Sequence, residues 1–116
     1  MHKRLFNREL KEWVFADKSG IHGTGLFAAK DIQKGDYIGT YHGPEAKRNG
    51  TYVLWVYEED NHEKCVGISG QNILRYLNHN RKKPNTEFEG ADLYALKNIK
   101  AGDELCFNYG DECGLD

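Results

Sequence analysis

The sequence predicts a mainly β domain with irregular loops and one short helix. The 116 residues include 13 glycines, and short runs rich in aromatic and β-branched residues alternate with turn residues along the chain. Only residues 71–79 carry apolar side chains at helical spacing. Short strands without intervening long helices favour small β-sheets over βαβ units, and the length fits one domain, expected to span 1–116.

The predicted strands follow from local composition. In chain order they cover residues 12–16, 26–29, 37–42, 51–57, 64–68, 86–89, 93–97 and 104–109. The 51–57 run is the most strongly β-like, because aromatic and β-branched side chains dominate it. The helix over 71–79 rests on the spacing of Ile73, Leu74 and Leu77, and the Asn- and Pro-containing residues that follow end it.

A short internal similarity links two distant segments. Residues 30–36 (KDIQKGD) resemble residues 97–103 (KNIKAGD). Each is predicted to form a tight turn between strands, in which the glycine takes a positive φ and the isoleucine points inward. The similarity is too short to indicate a repeat architecture.

Composition excludes several classes of protein. A net charge of −2 argues against a general nucleic-acid binder. The chain has no apolar run of about 20 residues and no apolar signal stretch near its start, which predicts a cytoplasmic protein that does not contact a membrane. The three cysteines have irregular spacing, so neither a disulfide framework nor a zinc site is expected, and a reducing compartment fits.

Three segments could carry chemistry. Residues 19–27 hold three glycines, which allow close approach of the backbone to a ligand; residues 72–79 end in an Asn-His pair; and residues 102–110 combine Phe107 and Tyr109 on one strand face. Taken singly, each segment has an ordinary structural explanation: a connecting turn, a hydrogen-bonded histidine and a packed aromatic face. Their order and spacing together favour one functional site over three unrelated structural features.

The chain resembles the SET-domain family over its core, residues 12–110. The matching segments are 22–28 (HGTGLFA), 38–43 (IGTYHG), 75–79 (RYLNH) with Pro84-Asn85, and 102–110 (GDELCFNYG). The resemblance implies a β-clip fold of small curved sheets with a C-terminal pseudoknot, which would place Asn78-His79 beside residues 107–109. It also implies a protein-lysine methyltransferase that uses S-adenosylmethionine and releases S-adenosylhomocysteine.

The resemblance assigns roles to individual residues. Tyr41 and Tyr109 are implied as catalytic, and the substrate channel is formed by Tyr41, Phe107 and Tyr109. A phenylalanine at 107 resembles enzymes that dimethylate or trimethylate. Cofactor binding is assigned to His22, Gly23, Thr24, Gly25, Leu26, Arg75, Asn78 and His79.

The implied partner is a lysine-containing protein or peptide of the histone type, with no direct contact to nucleic acid. The family usually has Ser where this chain has Asn80 and Asp where it has Asn108. Many relatives also carry a Cys-rich zinc segment after the last motif, so a homodimer or the substrate itself is expected to complete the channel here.

No metal site is expected, because the histidines and cysteines lack ligand spacing. The alternative is a non-catalytic SET-like module that binds peptides.

Overall fold

Strands dominate the structure and form two sheets. The structure is a computed structural model that describes residues 8–21, 23–46, 48, 50, 52–58, 61–80 and 82–108. The described strands are, in chain order, β1 (Val14–Lys18), β2 (Thr24–Ala28), β3 (Tyr37–Thr40), β4 (Glu45–Ala46), β5 (Val53–Glu58), β6 (Asn61–Ser69), β7 (Asn78–His79), β8 (Thr86–Glu89), β9 (Asp92–Ala95) and β10 (Glu104–Phe107). Two 3-10 helices span Arg8–Glu12 and Ile73–Tyr76.

The predicted strands correspond to observed ones, and the strand at 86–89 has the predicted bounds. The helix predicted over 71–79 is wrong. Only the single turn Ile73–Tyr76 is helical, and Leu77 already has extended backbone angles (φ −62°, ψ 120°). The Asn-His pair is therefore not a helix end but the short strand β7, because pairing with β10 outweighs the local helical pattern. Strand β4 and the helix Arg8–Glu12 were not predicted.

The large sheet is organised around β10. Its strand order is β1-β2-β10-β8-β9-β3, and β7 also pairs with β10. Strand β10 runs antiparallel to β2 but parallel to β7 and β8, with Cys106 opposite Asn78 and Phe107 opposite His79. The predicted proximity of Asn78-His79 and Phe107 is thereby confirmed. The predicted pseudoknot depends on residues after Asn108, which lie outside the described residues.

Polar side chains secure β10 where its neighbours are short. The Asn85 side chain donates from Nδ2 to the Glu104 carbonyl (2.9 Å) and accepts at Oδ1 from the Cys106 N–H (2.8 Å). The Thr86 hydroxyl donates to the Cys106 carbonyl at 2.7 Å. These bonds replace ladder bonds that a longer neighbouring strand would make, so they satisfy backbone groups in a largely buried place.

Residues of the large sheet supply most of the core. Leu26, Ile38, Leu74, Leu93 and Leu105 are fully buried. Strand β6 lies between β4 and β5 in the second sheet, in which every pairing is antiparallel. No helix in the described part of the chain is long and apolar enough to cross a membrane.

The two similar segments pair with each other. The Ile32 N–H donates to the Ile99 carbonyl (2.7 Å), and the Ile99 N–H donates to the Ile32 carbonyl (2.8 Å). Both isoleucines are buried, and the turn glycines Gly35 and Gly102 have φ of 89° and 92°. The predicted turn geometry and the inward isoleucines are confirmed.

Candidate active site

A cavity of about 430 Å³ lies where the two sheets meet the helix Ile73–Tyr76. This volume is within the range of small-molecule sites, about 300–1,000 Å³. The cavity has a polar end, formed by Gly23, Thr24, Asn78 and His79, and an aromatic end, formed by Tyr41, Phe88 and Phe107. Its remaining lining comes from Tyr52, Val53, Leu54, Leu74, Arg75, Tyr76 and Leu77.

The polar end begins with a tight loop between β1 and β2. The Ser19 N–H donates to the Gly23 carbonyl at 2.7 Å, and Gly23 has a φ of +51°, which favours glycine. The Ser19 side chain also stabilises the loop, because its hydroxyl accepts a hydrogen bond from the Ile21 N–H at 2.8 Å. The loop thus places Gly23 and Thr24 at the cavity.

A polar cluster of Ser19, Asn78 and Glu104 lies behind this loop. The Glu104 carboxylate accepts from the Ser19 hydroxyl (2.6 Å) and from Asn78 Nδ2 (3.1 Å). Asn78 Nδ2 also lies 3.1 Å from the Ser19 hydroxyl oxygen. A Cβ at Gly25 would lie 2.5 Å from the Glu104 carboxylate and 2.9 Å from the Ser19 Cβ, so only glycine at 25 allows the cluster to form.

Three aromatic rings pack edge to face at the aromatic end. The centroids of Tyr41 and Phe88 are 5.8 Å apart at 82°, and those of Phe88 and Phe107 are 5.3 Å apart at 89°. His79 meets Phe107 in the same way at 6.2 Å, which joins the aromatic end to the polar end. These are favourable aromatic geometries, so the rings form a packed, largely apolar wall.

The Tyr41 hydroxyl has a defined partner. It donates to the Tyr52 carbonyl, which also accepts from the Gly70 N–H at 2.9 Å. The Tyr41 ring lies directly on Gly70, where an added Cβ would be 2.3 Å from the hydroxyl oxygen. Tyr41 is therefore held by a hydrogen bond at one end and by close packing along its ring.

Replacing Gly70 with alanine should displace the Tyr41 ring. Because Tyr41 is 7% exposed and cannot move without disturbing its packing, we expect overpacking to lower the free energy of unfolding by about 1–3 kcal/mol. Urea unfolding followed by circular dichroism measures this loss. Gly50→Ala is the matched control, since its nearest neighbour is at an ordinary 3.5 Å. Equal stability of the two variants would contradict the observed packing.

The Arg75 side chain bonds groups at the start of the helix Ile73–Tyr76 instead of projecting freely into the cavity. Its guanidinium donates to the Gln71 and Asn72 carbonyls, both at 2.9 Å, and to the Tyr76 hydroxyl at 2.6 Å. Tyr76 in turn meets Tyr52 edge to face at 6.2 Å. Arg75 therefore fixes the tyrosine pair at one side of the cavity.

The cysteines differ from the prediction. Cys65 is disulfide-bonded, which the irregular spacing of the cysteines did not predict. Proximity in the fold, not spacing in the sequence, decides such pairing. Cys106 is a free, buried thiol, and burial raises its pKa above the usual value, so it stays protonated near neutral pH and is a poor nucleophile. Cys113 lies outside the described residues.

Within the described ranges, no group of His, Cys, Asp and Glu side chains could hold a metal ion.

Comparison with known proteins identifies the family. The sequence model described as SET domain matches residues 23–110, from the polar end of the cavity to beyond β10. The chain belongs to the SET-domain family. The family and the mainly β fold that the sequence motifs imply are thereby confirmed.

The chain spans only a small part of the length of two curated relatives that it matches. It is 30% identical over 114 residues to "Histone-lysine N-methyltransferase EZH2" of Chaetomium thermophilum, covering 77% of the chain and 7% of the relative. It is 27% identical over 131 residues to "Histone-lysine N-methyltransferase trithorax" of Drosophila virilis, covering 94% of the chain and 3% of the relative.

Solved structures share the fold. A structure described as "ctPRC2 in an autoinhibited conformation bound to S-adenosylmethionine" has a TM-score of 0.73 at 27% identity, covering 90% of this SET domain and 16% of that chain. The "Methyltransferase domain of human PR domain-containing protein 2" has a TM-score of 0.66 at 24% identity and covers 99% of this chain and 96% of that one. The second likeness concerns the fold alone.

The structure brings most of the sequence-predicted residues of the SET domain to one cavity. Those that line it are Gly23, Thr24, Tyr41, Arg75, Asn78, His79 and Phe107. Gly25 does not line the cavity but allows the polar cluster behind it, and the Leu26 side chain is fully buried in the core. His22 and Tyr109 lie outside the described residues, so their places at the site stay predictions.

Sequence reasoning missed Phe88 and Glu104. Phe88 stands between two exposed glutamates on β8, and this alternation could have indicated one inward aromatic side chain. Glu104 gave no comparable signal, because its partner Ser19 is 85 positions away.

Proposed function

We propose that this SET domain transfers a methyl group from S-adenosylmethionine to the side-chain amine of a lysine in a protein. The observation that supports this most directly is one cavity with a polar end beside a packed aromatic end. The names of the curated relatives, which are histone-lysine methyltransferases, and the solved relative bound to S-adenosylmethionine support it as well.

The polar end fits the amino-acid part of S-adenosylmethionine. Gly23, Thr24 and Asn78 line this end. The backbone of the first two and the side-chain amide of Asn78 would supply donors and acceptors for an ammonium and a carboxylate. Glycine at position 25 leaves room for the contact between Glu104 and Ser19 behind this end of the cavity. When bound, S-adenosylmethionine supplies a methyl group on a positively charged sulfur and leaves as S-adenosylhomocysteine.

The aromatic end suits the lysine side chain. A lysine amine must lose its proton before its lone pair can attack, and its pKa of about 10.4 in water falls when it is desolvated. Tyr41, Phe88 and Phe107 provide an apolar wall that excludes water from such an amine. The same rings can hold a methylated ammonium by cation–π contact.

We further propose dimethylation or trimethylation. Phe107 has no hydroxyl, and its neighbour Phe88 has none either, so these two side chains offer no hydrogen bond to a water or a partly methylated amine. Without such a bond, the amine can turn its lone pair toward the donor again after the first transfer. A lysine in a basic segment of the histone type is the proposed substrate.

Two measurements test the proposal. Calorimetry should detect binding of S-adenosylhomocysteine to the purified protein, and mass spectrometry of peptide arrays incubated with labelled S-adenosylmethionine should detect methylated lysine. The mass increase also reports the number of methyl groups. Binding of peptides without transfer would favour the non-catalytic module, and absence of donor binding by folded protein would contradict the proposal.

Replacing Gly25 with alanine should weaken donor binding. The new methyl group would overlap the Glu104 carboxylate and the Ser19 Cβ, and both must move together with the loop that they hold. We expect the Kd for S-adenosylhomocysteine to rise about tenfold or more, as the loss of one or two hydrogen bonds would produce. Calorimetry measures this change. Gly20→Ala is the control, because no heavy atom lies within 4 Å of its added Cβ; a similar Kd in both variants would exclude the steric explanation.

A further inference from the structure

Glu104 is a half-buried carboxylate at the start of β10, and it joins two segments that are remote in sequence. We infer that Glu104 is a positioning residue for the methyl donor, acting through Asn78 and Ser19. The inference rests on the proposed function, because it requires a donor at the polar end of the cavity. Glu104 does not itself line the cavity, so it is not a catalytic residue.

The direction of the hydrogen bonds in the cluster follows from its donors. The Ser19 oxygen accepts from the Ile21 N–H and lies 3.1 Å from Asn78 Nδ2, and both of these groups can only donate. The Ser19 proton is therefore directed at the Glu104 carboxylate. The short separation of 2.6 Å agrees with a hydroxyl donating to a charged oxygen, which is a strong type of hydrogen bond.

Glu104 also determines which way the Asn78 amide faces. Nδ2 points toward Glu104 and Ser19, so Oδ1 is turned away from them. A flipped amide would place Oδ1 against the carboxylate, where two acceptors would repel each other. With the observed orientation, Asn78 can offer an acceptor on the side away from Glu104, which suits the cationic ammonium of the donor.

The same carboxylate fixes the loop that carries Gly23. Ser19 bonds to Glu104 through its side chain and to the Gly23 carbonyl through its backbone N–H, so one residue transmits the position of Glu104 to the cavity. The negative charge also lies directly behind the polar end, where a cationic donor would gain from it. Glu104 thus affects donor affinity through geometry and through charge.

The test compares Glu104→Ala, Glu104→Gln and the control Glu87→Ala. Glu87 is an exposed glutamate on β8 and does not line the cavity. The readouts are the calorimetric Kd for S-adenosylhomocysteine, the KM for S-adenosylmethionine, kcat at saturating donor and the melting temperature. Ser19→Ala serves as a further variant that leaves β10 unchanged.

We expect Glu104→Ala to raise the Kd for S-adenosylhomocysteine and the KM for S-adenosylmethionine about tenfold to hundredfold, as loss of a charged hydrogen-bond acceptor predicts. At saturating donor, kcat should stay close to that of the unmodified protein. Glu104→Gln keeps an acceptor oxygen and should recover part of the affinity, Ser19→Ala should weaken binding in the same direction, and Glu87→Ala should bind normally.

The outcomes separate this inference from the proposed function. If the unmodified protein is folded and binds no donor, the proposed function fails and the inference fails with it. If the unmodified protein binds and Glu104→Ala binds equally well, only the inference is overturned. A loss of affinity that follows the loss of melting temperature, without recovery in Glu104→Gln, would also overturn it, because Glu104 would then serve stability alone.

Discussion

Replacing Asn85 with alanine should lower the free energy of unfolding by about 2–4 kcal/mol. The amide of Asn85 satisfies the Glu104 carbonyl and the Cys106 N–H, and alanine would leave both groups without this partner. Each unsatisfied buried backbone group costs about 1–3 kcal/mol. Urea unfolding measures the loss, and because β10 also carries Phe107, we expect donor binding to weaken in the same variant.

Two further variants make this prediction specific. Asn85→Asp keeps an acceptor for the Cys106 N–H but places a second acceptor oxygen against the Glu104 carbonyl, where the two repel, so its stability should stay below that of the unmodified protein. Asn98 is exposed, and its described side-chain contact is a hydrogen bond accepted from the Lys34 N–H. Asn98→Ala should therefore change stability by about 0.5 kcal/mol or less. Equal losses in Asn85→Ala and Asn98→Ala would show that β10 does not depend on the two hydrogen bonds of the Asn85 side chain.

Replacing Tyr109 with phenylalanine should lower kcat by about two to three orders of magnitude, the usual effect of removing one preorganised polar group from an active site. The resemblance to the SET-domain family assigns the hydroxyl of Tyr109 to orientation and electrostatic stabilisation at the reacting amine. Its loss should therefore affect turnover, not donor binding. Mass spectrometry of peptide methylation under single-turnover conditions measures the change.

The control for Tyr109→Phe is Tyr94→Phe. Tyr94 is a half-buried tyrosine on β9 whose ring meets Tyr37 and which does not line the cavity. Both variants should bind S-adenosylhomocysteine with unchanged Kd and melt at similar temperatures. A Tyr109→Phe variant with normal kcat would remove Tyr109 from the proposed mechanism, whereas a parallel loss of donor affinity would assign it to binding.

Local patterns in the sequence predicted those parts of the fold that local chemistry decides. The strand at 86–89 and the two glycine turns follow from alternation and from positive φ, which neighbouring residues determine. The error at 71–79 has the opposite cause. Ile73, Leu74 and Leu77 have helical spacing, yet residues 78–79 are extended because they pair with β10, which the local sequence does not reveal.

The candidate site was predictable only in part for the same reason. Gly23, Thr24, Tyr41, Asn78 and Phe107 belong to motifs that resemble a known family, and these residues line one cavity. The polar cluster behind the cavity was not predicted, although Asn78 and Glu104 lie in two of the matching segments, because the contacts of Glu104 with Ser19 and Asn78 form only in the folded chain. The disulfide of Cys65 escaped prediction because its formation depends on distance in the folded chain.

The parallel and antiparallel pairing of β10 has a consequence for how the protein is made. Its partners β2, β7 and β8 leave the ribosome earlier, so the cavity can close only after residues 104–107 have been synthesised. Contacts between such distant segments slow folding, because a large loop must be ordered before they form. A nascent chain that lacks this strand would contain most of the apolar core but no complete pocket. The methyl donor would therefore stabilise only chains that include β10.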